Sequence, residues 1–143
     1  MAEKRNAKYV VDYDTPGPKA PAFRHPTDPA YLKNVVRVGG DTVPGAEFSN
    51  QAQWIMPGSR KEIRLMESHT HEYGVLLGFF GFDYDDIQGL GAEIEFTVDN
   101  ETYTVTKSFA SFVPAGVQHG PLIIRNVQRP IFHFTAAGTG NYE

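Results

Sequence analysis

The chain has 143 residues, 41% of them hydrophobic and 21% charged, with 10 Phe, 7 Tyr and 1 Trp. That is apolar side chain enough for one folded domain, and it excludes a disordered segment. Thirteen Lys and Arg against 17 Asp and Glu leave a net charge of −4, so the concentrated positive face that a nucleic-acid partner needs is not expected, and the absence of cysteine excludes disulfides, thiolate metal ligands and a cysteine nucleophile.

Met1 to Lys8 lacks the apolar stretch of a secretory signal, and no segment reaches the roughly 18 apolar residues of a membrane span. A cytoplasmic protein with no membrane partner is expected. Between Asp12 and Pro29, the prolines Pro16, Pro18, Pro21, Pro26 and Pro29 argue against a helix or a central strand. They predict an extended N-terminal arm, residues 1–34, packed on a barrel formed by residues 35–143. His25 in this arm reads as a solvent-exposed loop residue. Ala30 to Asn34 fits one helical turn, and Val35 to Val38 a strand ended by Gly39 and Gly40.

From Gln51 the strand signals become dense. Gln51 to Met56 is followed by Glu62 to His71, in which Ile63 and Leu65 fall on one face and Glu62, Arg64 and Met66 on the other. Val75 to Gly81 is an apolar run of buried-strand length. After an acidic, glycine-containing loop come Ala92 to Val98, the turn Asp99-Asn100, which tolerates the positive φ of a tight hairpin, and Tyr103 to Thr106. Ala110 to Val113, Leu122 to Arg125 and Ile131 to Thr135 complete the set. About eight or nine short strands with regular turn signals predict an all-β sandwich or barrel.

His69 and His71 project from the same face of a strand and can grip one cation, although a chain with 5 histidines also produces such a pair by chance. Glu93 and Glu95 share a face opposite Ile94 and Phe96. Either that face is solvated, or it turns inward and brings a carboxylate to the site. His133, alternating with Phe132 and Phe134, reads as a structural residue or as part of a pocket lining. Trp54, Tyr73, Phe79, Phe112 and Phe134 are core aromatics or pocket walls. Arg64 is either the cation for a substrate carboxylate or a solvated charge beside Glu62.

A second pattern lies at Phe112 to His119, where an apolar strand ends at Pro114, turns at Gly116 and returns with His119. Together the two segments resemble the cupin superfamily. Its first motif is HxH, three or four residues, Glu, six residues, Gly; its second is Gly, five residues, PxG, two residues, His. His69 and His71 match the first motif, and Pro114, Gly116 and His119 the second, over roughly Glu62 to Phe134. The departures are equally specific. Val75 or Leu76 stands where the family has its glutamate, Gly81 falls early, Ser108 replaces the leading glycine of the second motif, and Ile123 stands at the position of an occasional asparagine. Glu72, directly after His71, should point to the opposite face.

The resemblance implies a cupin-type antiparallel β-barrel, or jelly roll, with a metal site at its mouth. The implied ligands are His69, His71 and His119, and the implied cofactor is a divalent transition metal, iron first, with zinc, nickel and manganese as alternatives. Three neutral imidazoles leave the full charge on the ion, which favours an anionic or enolisable ligand. The expected function is a metal-dependent enzyme, most simply a dioxygenase acting on a small organic molecule by Lewis-acid activation, with isomerase and lyase chemistry as alternatives. A general base would be Glu93, Glu95 or a metal-bound hydroxide. Two alternatives stand beside it: a non-catalytic small-molecule or metal-binding cupin acting as a sensor or accessory protein, which the missing glutamate favours, and a cupin whose histidines bind no metal. The arm and exposed strand edges suggest a homodimer.

Overall fold

Period-two alternation sets which side chains each strand buries, and nine strands result in the computed structural model, which describes residues 4–16, 31–58 and 61–141. They are β1 (Leu32–Val38), β2 (Ser49–Ile55), β3 (Glu62–Met66), β4 (Val75–Gly81), β5 (Gly89–Val98), β6 (Glu101–Lys107), β7 (Phe109–Val113), β8 (His119–Arg125) and β9 (Ile131–Ala137). A single 3-10 turn at Ala7–Tyr9 precedes them. One sheet has the order β1-β2-β9-β4-β7 and the other β3-β8-β5-β6, with every pairing antiparallel. From β2 onward each connection crosses between the sheets except the β5–β6 hairpin. That interleaving is the topology of a jelly roll, as the strand spacing and the motifs led us to expect.

The hairpin turns at Asp99 and Asn100, with φ of 47° and 66°. Two successive residues at positive φ match the right-handed twist of the flanking strands. On the inner faces, Ile55, Leu77, Phe79 and Ile131 of the five-stranded sheet share one apolar cluster with Ile63, Leu65, Ile94, Phe96, Leu122 and Ile124 of the other. Phe79 is fully buried, stacked between Phe109 at 5.5 Å and His133 at 4.0 Å.

Two local expectations are corrected. The helical turn over Ala30 to Asn34 is not formed in its described part: Leu32, Lys33 and Asn34 belong to β1 and pair with Ile55, Trp54 and Gln53. A helical turn of five residues has a costly nucleus and few hydrogen bonds, so strand pairing prevails. Met66 is buried rather than sharing an exposed face with Glu62 and Arg64, because a register shift between Arg64 and Met66 rotates the strand by one residue. Residues 1–3 and 17–30, which include His25 and half of the expected arm, lie outside the described residues. No helix among the described residues is long and apolar enough to cross a membrane.

Candidate metal centre

The jelly roll brings His69, His71 and His119 together from two separate stretches of chain. His69 and His119 form an isolated antiparallel bridge, each backbone N–H donating to the other's carbonyl at 2.8 and 2.9 Å. The Pro114–Gly116 turn is tied to the same place by the Gly116 N–H, which donates to the His71 carbonyl at 2.8 Å. Gly116 has φ of 82° and Gly120 has φ of 90°, a region where a side chain is strained. A Cβ at Gly120 would also run into the carbonyl oxygen of Glu67. Glycine therefore lets β8 approach the segment leading to His69 closely enough to form the bridge.

One candidate ligand nitrogen from each ring lies within 4.8 Å of the others. Ring centroids are 4.6 Å apart for His69 and His71, 4.3 Å for His69 and His119, and 5.6 Å for His71 and His119. Nδ1 of His69 lies 2.7 Å from the Glu67 carbonyl, and Nδ1 of His119 lies 3.1 Å from the Val117 carbonyl. A carbonyl oxygen only accepts, so each Nδ1 carries the hydrogen and each Nε2 keeps its lone pair for a ligand. The Nε2 atoms of His69 and His71 are buried. Burial pushes the His119 imidazole below the ordinary histidine range, a shift the Val117 bond opposes and the nearby His69 charge reinforces. The donor set thus fits a divalent ion that accepts imidazole nitrogen, and these three histidines are the one such group found among the described residues.

The missing carboxylate has a clear structural position. Val75 faces inward, 1% exposed and clustered with Ala137 and Tyr73, while Leu76 faces outward. Tyr73 stacks on His71 with centroids 4.8 Å apart and ring planes at 19°. Glu93 and Glu95 alternate with the buried Ile94 and Phe96, so they occupy the outer face of their sheet, where Glu95 lies 3.4 Å from Arg125. Arg64 is exposed and pairs with Glu67 at 3.1 Å. Neither carboxylate nor Arg64 joins the histidine group. Trp54 sits on the outer face of the five-stranded sheet, in contact with Phe82 and Phe132, each at 5.4 Å. Phe134 stacks on Phe80 at 5.9 Å on that same face, and Phe112 is 64% exposed. His133 is fully buried on the inner face, donating from Nδ1 to the Gly78 carbonyl at 2.8 Å and lying 3.3 Å from the Thr135 hydroxyl.

A polar patch, outside the motif residues, lies on that inner face. Arg37, Ser49, Gln51 and Gln53 are all at most 5% exposed. Each has one side-chain atom buried without a hydrogen-bond partner among the described residues: Arg37 Nη1, Ser49 Oγ, Gln51 Oε1 and Gln53 Oε1. Leaving such an atom unsatisfied costs about 1 to 3 kcal/mol. The signal was available in the alternation Ser49, Gln51, Gln53, Ile55, which places three polar residues on the face that ends in a core isoleucine.

The chain matches no family model and no curated protein. Among solved structures it is similar to a cupin 2 conserved barrel domain protein from Salinispora arenicola CNS-205, at 16% identity over 79% of this chain and 85% of that one, with a TM-score of 0.46. It is also similar to the Cnp3 cupin domain from Schizosaccharomyces pombe, at 17% identity over 79% of this chain and 66% of that one, TM-score 0.46. A third similar structure is KdgF from Halomonas sp., at 13% identity over 80% of this chain and 84% of that one, TM-score 0.44.

Proposed function

We propose that this chain, a cupin-type jelly roll by its strand order and by the positions of its motif residues, is a metal-dependent enzyme acting on a small anionic or enolisable molecule. The observation that supports this reading most is the convergence of His69, His71 and His119, two of them with Nδ1 fixed by a backbone carbonyl. When bound there, a divalent transition ion, with iron the first candidate, supplies Lewis-acid polarisation of an oxygen-bearing substrate. The chain's own residues do the rest. The carbonyls of Glu67 and Val117 orient the rings of His69 and His119, Tyr73 braces His71 from one side, and Val75 keeps an apolar wall where a carboxylate would partly neutralise the ion. A site with only neutral ligands retains the ion's full charge and attracts an anion.

Reconstituting the protein with Fe(II), Mn(II), Ni(II) or Zn(II), and following O₂ uptake and product formation with small diketones, keto acids and phenols, tests the reading. Turnover that disappears in His119→Ala supports it. Stoichiometric metal and tight ligand binding without turnover of any probe would instead favour a sensor or accessory protein, the reading that Val75 at the carboxylate position supports. The reading includes a homodimer, which light scattering tests; a monomer mass alone refutes that part.

A further inference from the structure

We propose that Arg37, Gln51 and Gln53 form a carboxylate-binding site that selects small hydroxycarboxylates and presents them to the histidine centre. The inference deepens the proposed function and rests on it for what happens to the ligand, but not for the binding itself. Arg37 pairs with Gln51, Gln51 with Thr135, and Thr135 with Leu77, while in the next row Asn34 pairs with Gln53, Gln53 with His133, and His133 with Phe79. Residues directly opposite in antiparallel strands project from the same face, so each row lines the inner face of the sheet. Asn34 and Arg37 are three apart and would normally face opposite ways. A register shift between Asn34 and Val36 inserts one residue and turns both inward.

The chemistry of these rows is incomplete among the described residues. The amide nitrogens of Gln51 and Gln53 both donate to the Asn34 Oδ1, at 3.2 and 2.7 Å, which leaves their two buried carbonyl oxygens in need of donors. The Arg37 guanidinium is 5% exposed, and its ion pair, through Nη2 to Asp41 at 3.2 Å, is with a side chain that is itself 36% exposed. Nη1 remains buried and without an acceptor among the described residues. A carboxylate satisfies Nη1, and hydroxyls on the same small molecule satisfy the Gln carbonyl oxygens. The two rows lie roughly 7 Å apart along the strands, the reach of a three- or four-carbon acid.

The third row, Ser49, Ala137 and Val75, joins this patch to the histidines: Tyr73 packs against Val75 and Ala137 and stacks on His71. The third row therefore lies between the polar rows and the Tyr73–His71 stack, and Arg37, whose charge Asp41 balances through Nε and Nη2, keeps Nη1 for a further acceptor.

The test uses full-length protein stripped of metal with a chelator and titrated calorimetrically with glycerate, propionate and glycerol. Glycerate carries a carboxylate and hydroxyls, propionate the carboxylate alone and glycerol the hydroxyls alone. The expected order is glycerate at least tenfold tighter than propionate, with no saturable binding of glycerol; this comparison needs no variant to fold. Arg37→Lys, which keeps the charge but not the fork, should weaken glycerate at least tenfold, and Gln53→Leu should erase the preference for glycerate over propionate while leaving propionate unchanged. Equal affinity for glycerate and propionate overturns the proposal, as does glycerate binding that Arg37→Lys leaves intact. Glycerate bound only after metal is added, and lost in His69→Ala, also overturns it and leaves the metal reading standing. Glycerate bound by protein that takes up no metal sustains it and removes that reading instead.

Discussion

Replacing Val75 with glutamate separates the apolar wall from the metal centre in one step. Val75 is 1% exposed and packed against Ala137 and Tyr73. Losing a fully buried valine costs about 1.5 to 3 kcal/mol, and burying a carboxyl without a partner adds roughly 1 to 3 kcal/mol. In metal-free protein the expected destabilisation is therefore about 2.5 to 6 kcal/mol. For a domain of this size that is a fall in Tm of roughly 8 to 20 °C. If Val75 faces the histidine group, the new carboxylate becomes a fourth ligand. A metal at a hundredfold over its Kd stabilises the fold by about 2.7 kcal/mol, so the metal-induced rise in Tm should be larger in Val75→Glu than in the wild type and absent in Val75→Glu combined with His69→Ala. Differential scanning calorimetry with and without Zn(II) or Mn(II) makes the comparison. The same loss of Tm with and without metal would refute the placement of Val75 beside the ligands.

Three further outcomes follow from the same geometry. His119 titrates below the ordinary histidine range because it is buried, so protonation opposes folding: its stabilising contribution is present above the unfolded pKa near 6.5 and lost as pH falls through the lower folded value. The urea midpoint of metal-free wild type should drop more steeply as pH falls below about 6.5 than that of His119→Asn, and equal slopes contradict the assignment. Phe79→Ala removes a fully buried ring stacked on His133 and Phe109 and should cost about 3 to 5 kcal/mol in urea denaturation; a loss below about 1 kcal/mol would mean that the ring is not packed as described. Arg64→Ala breaks an exposed pair with Glu67 and should leave stability within about 1 kcal/mol and metal content unchanged. Loss of metal in that variant would place Arg64 at the site after all.

The architecture was legible because it follows from local signals. Ile63, Leu65, Ile94 and Phe96 alternate with the charged Glu62, Arg64, Glu93 and Glu95, and Asp99-Asn100 admits the positive φ the hairpin requires. The histidines were legible because HxH and PxG with a following His are short-range patterns that the bridge between His69 and His119 brings together. What escaped depended on register. A bulge after Arg64 turns Met66 inward, and another after Asn34 turns Arg37 inward. No local pattern announces an inserted residue, yet each one reverses the face of every residue beyond it. For Glu93 and Glu95 the alternation was read correctly, but which face met the core depended on Ile94 and Phe96 packing against the opposite sheet.

Elemental analysis of protein purified without added metal or a histidine tag, beside the His69→Ala/His71→Ala double variant, tests the central claim most directly. Near-stoichiometric iron, manganese, nickel or zinc in the wild type, lost in the variant, is the predicted result. A wild type that holds no metal as purified, and takes up none on reconstitution, would contradict it.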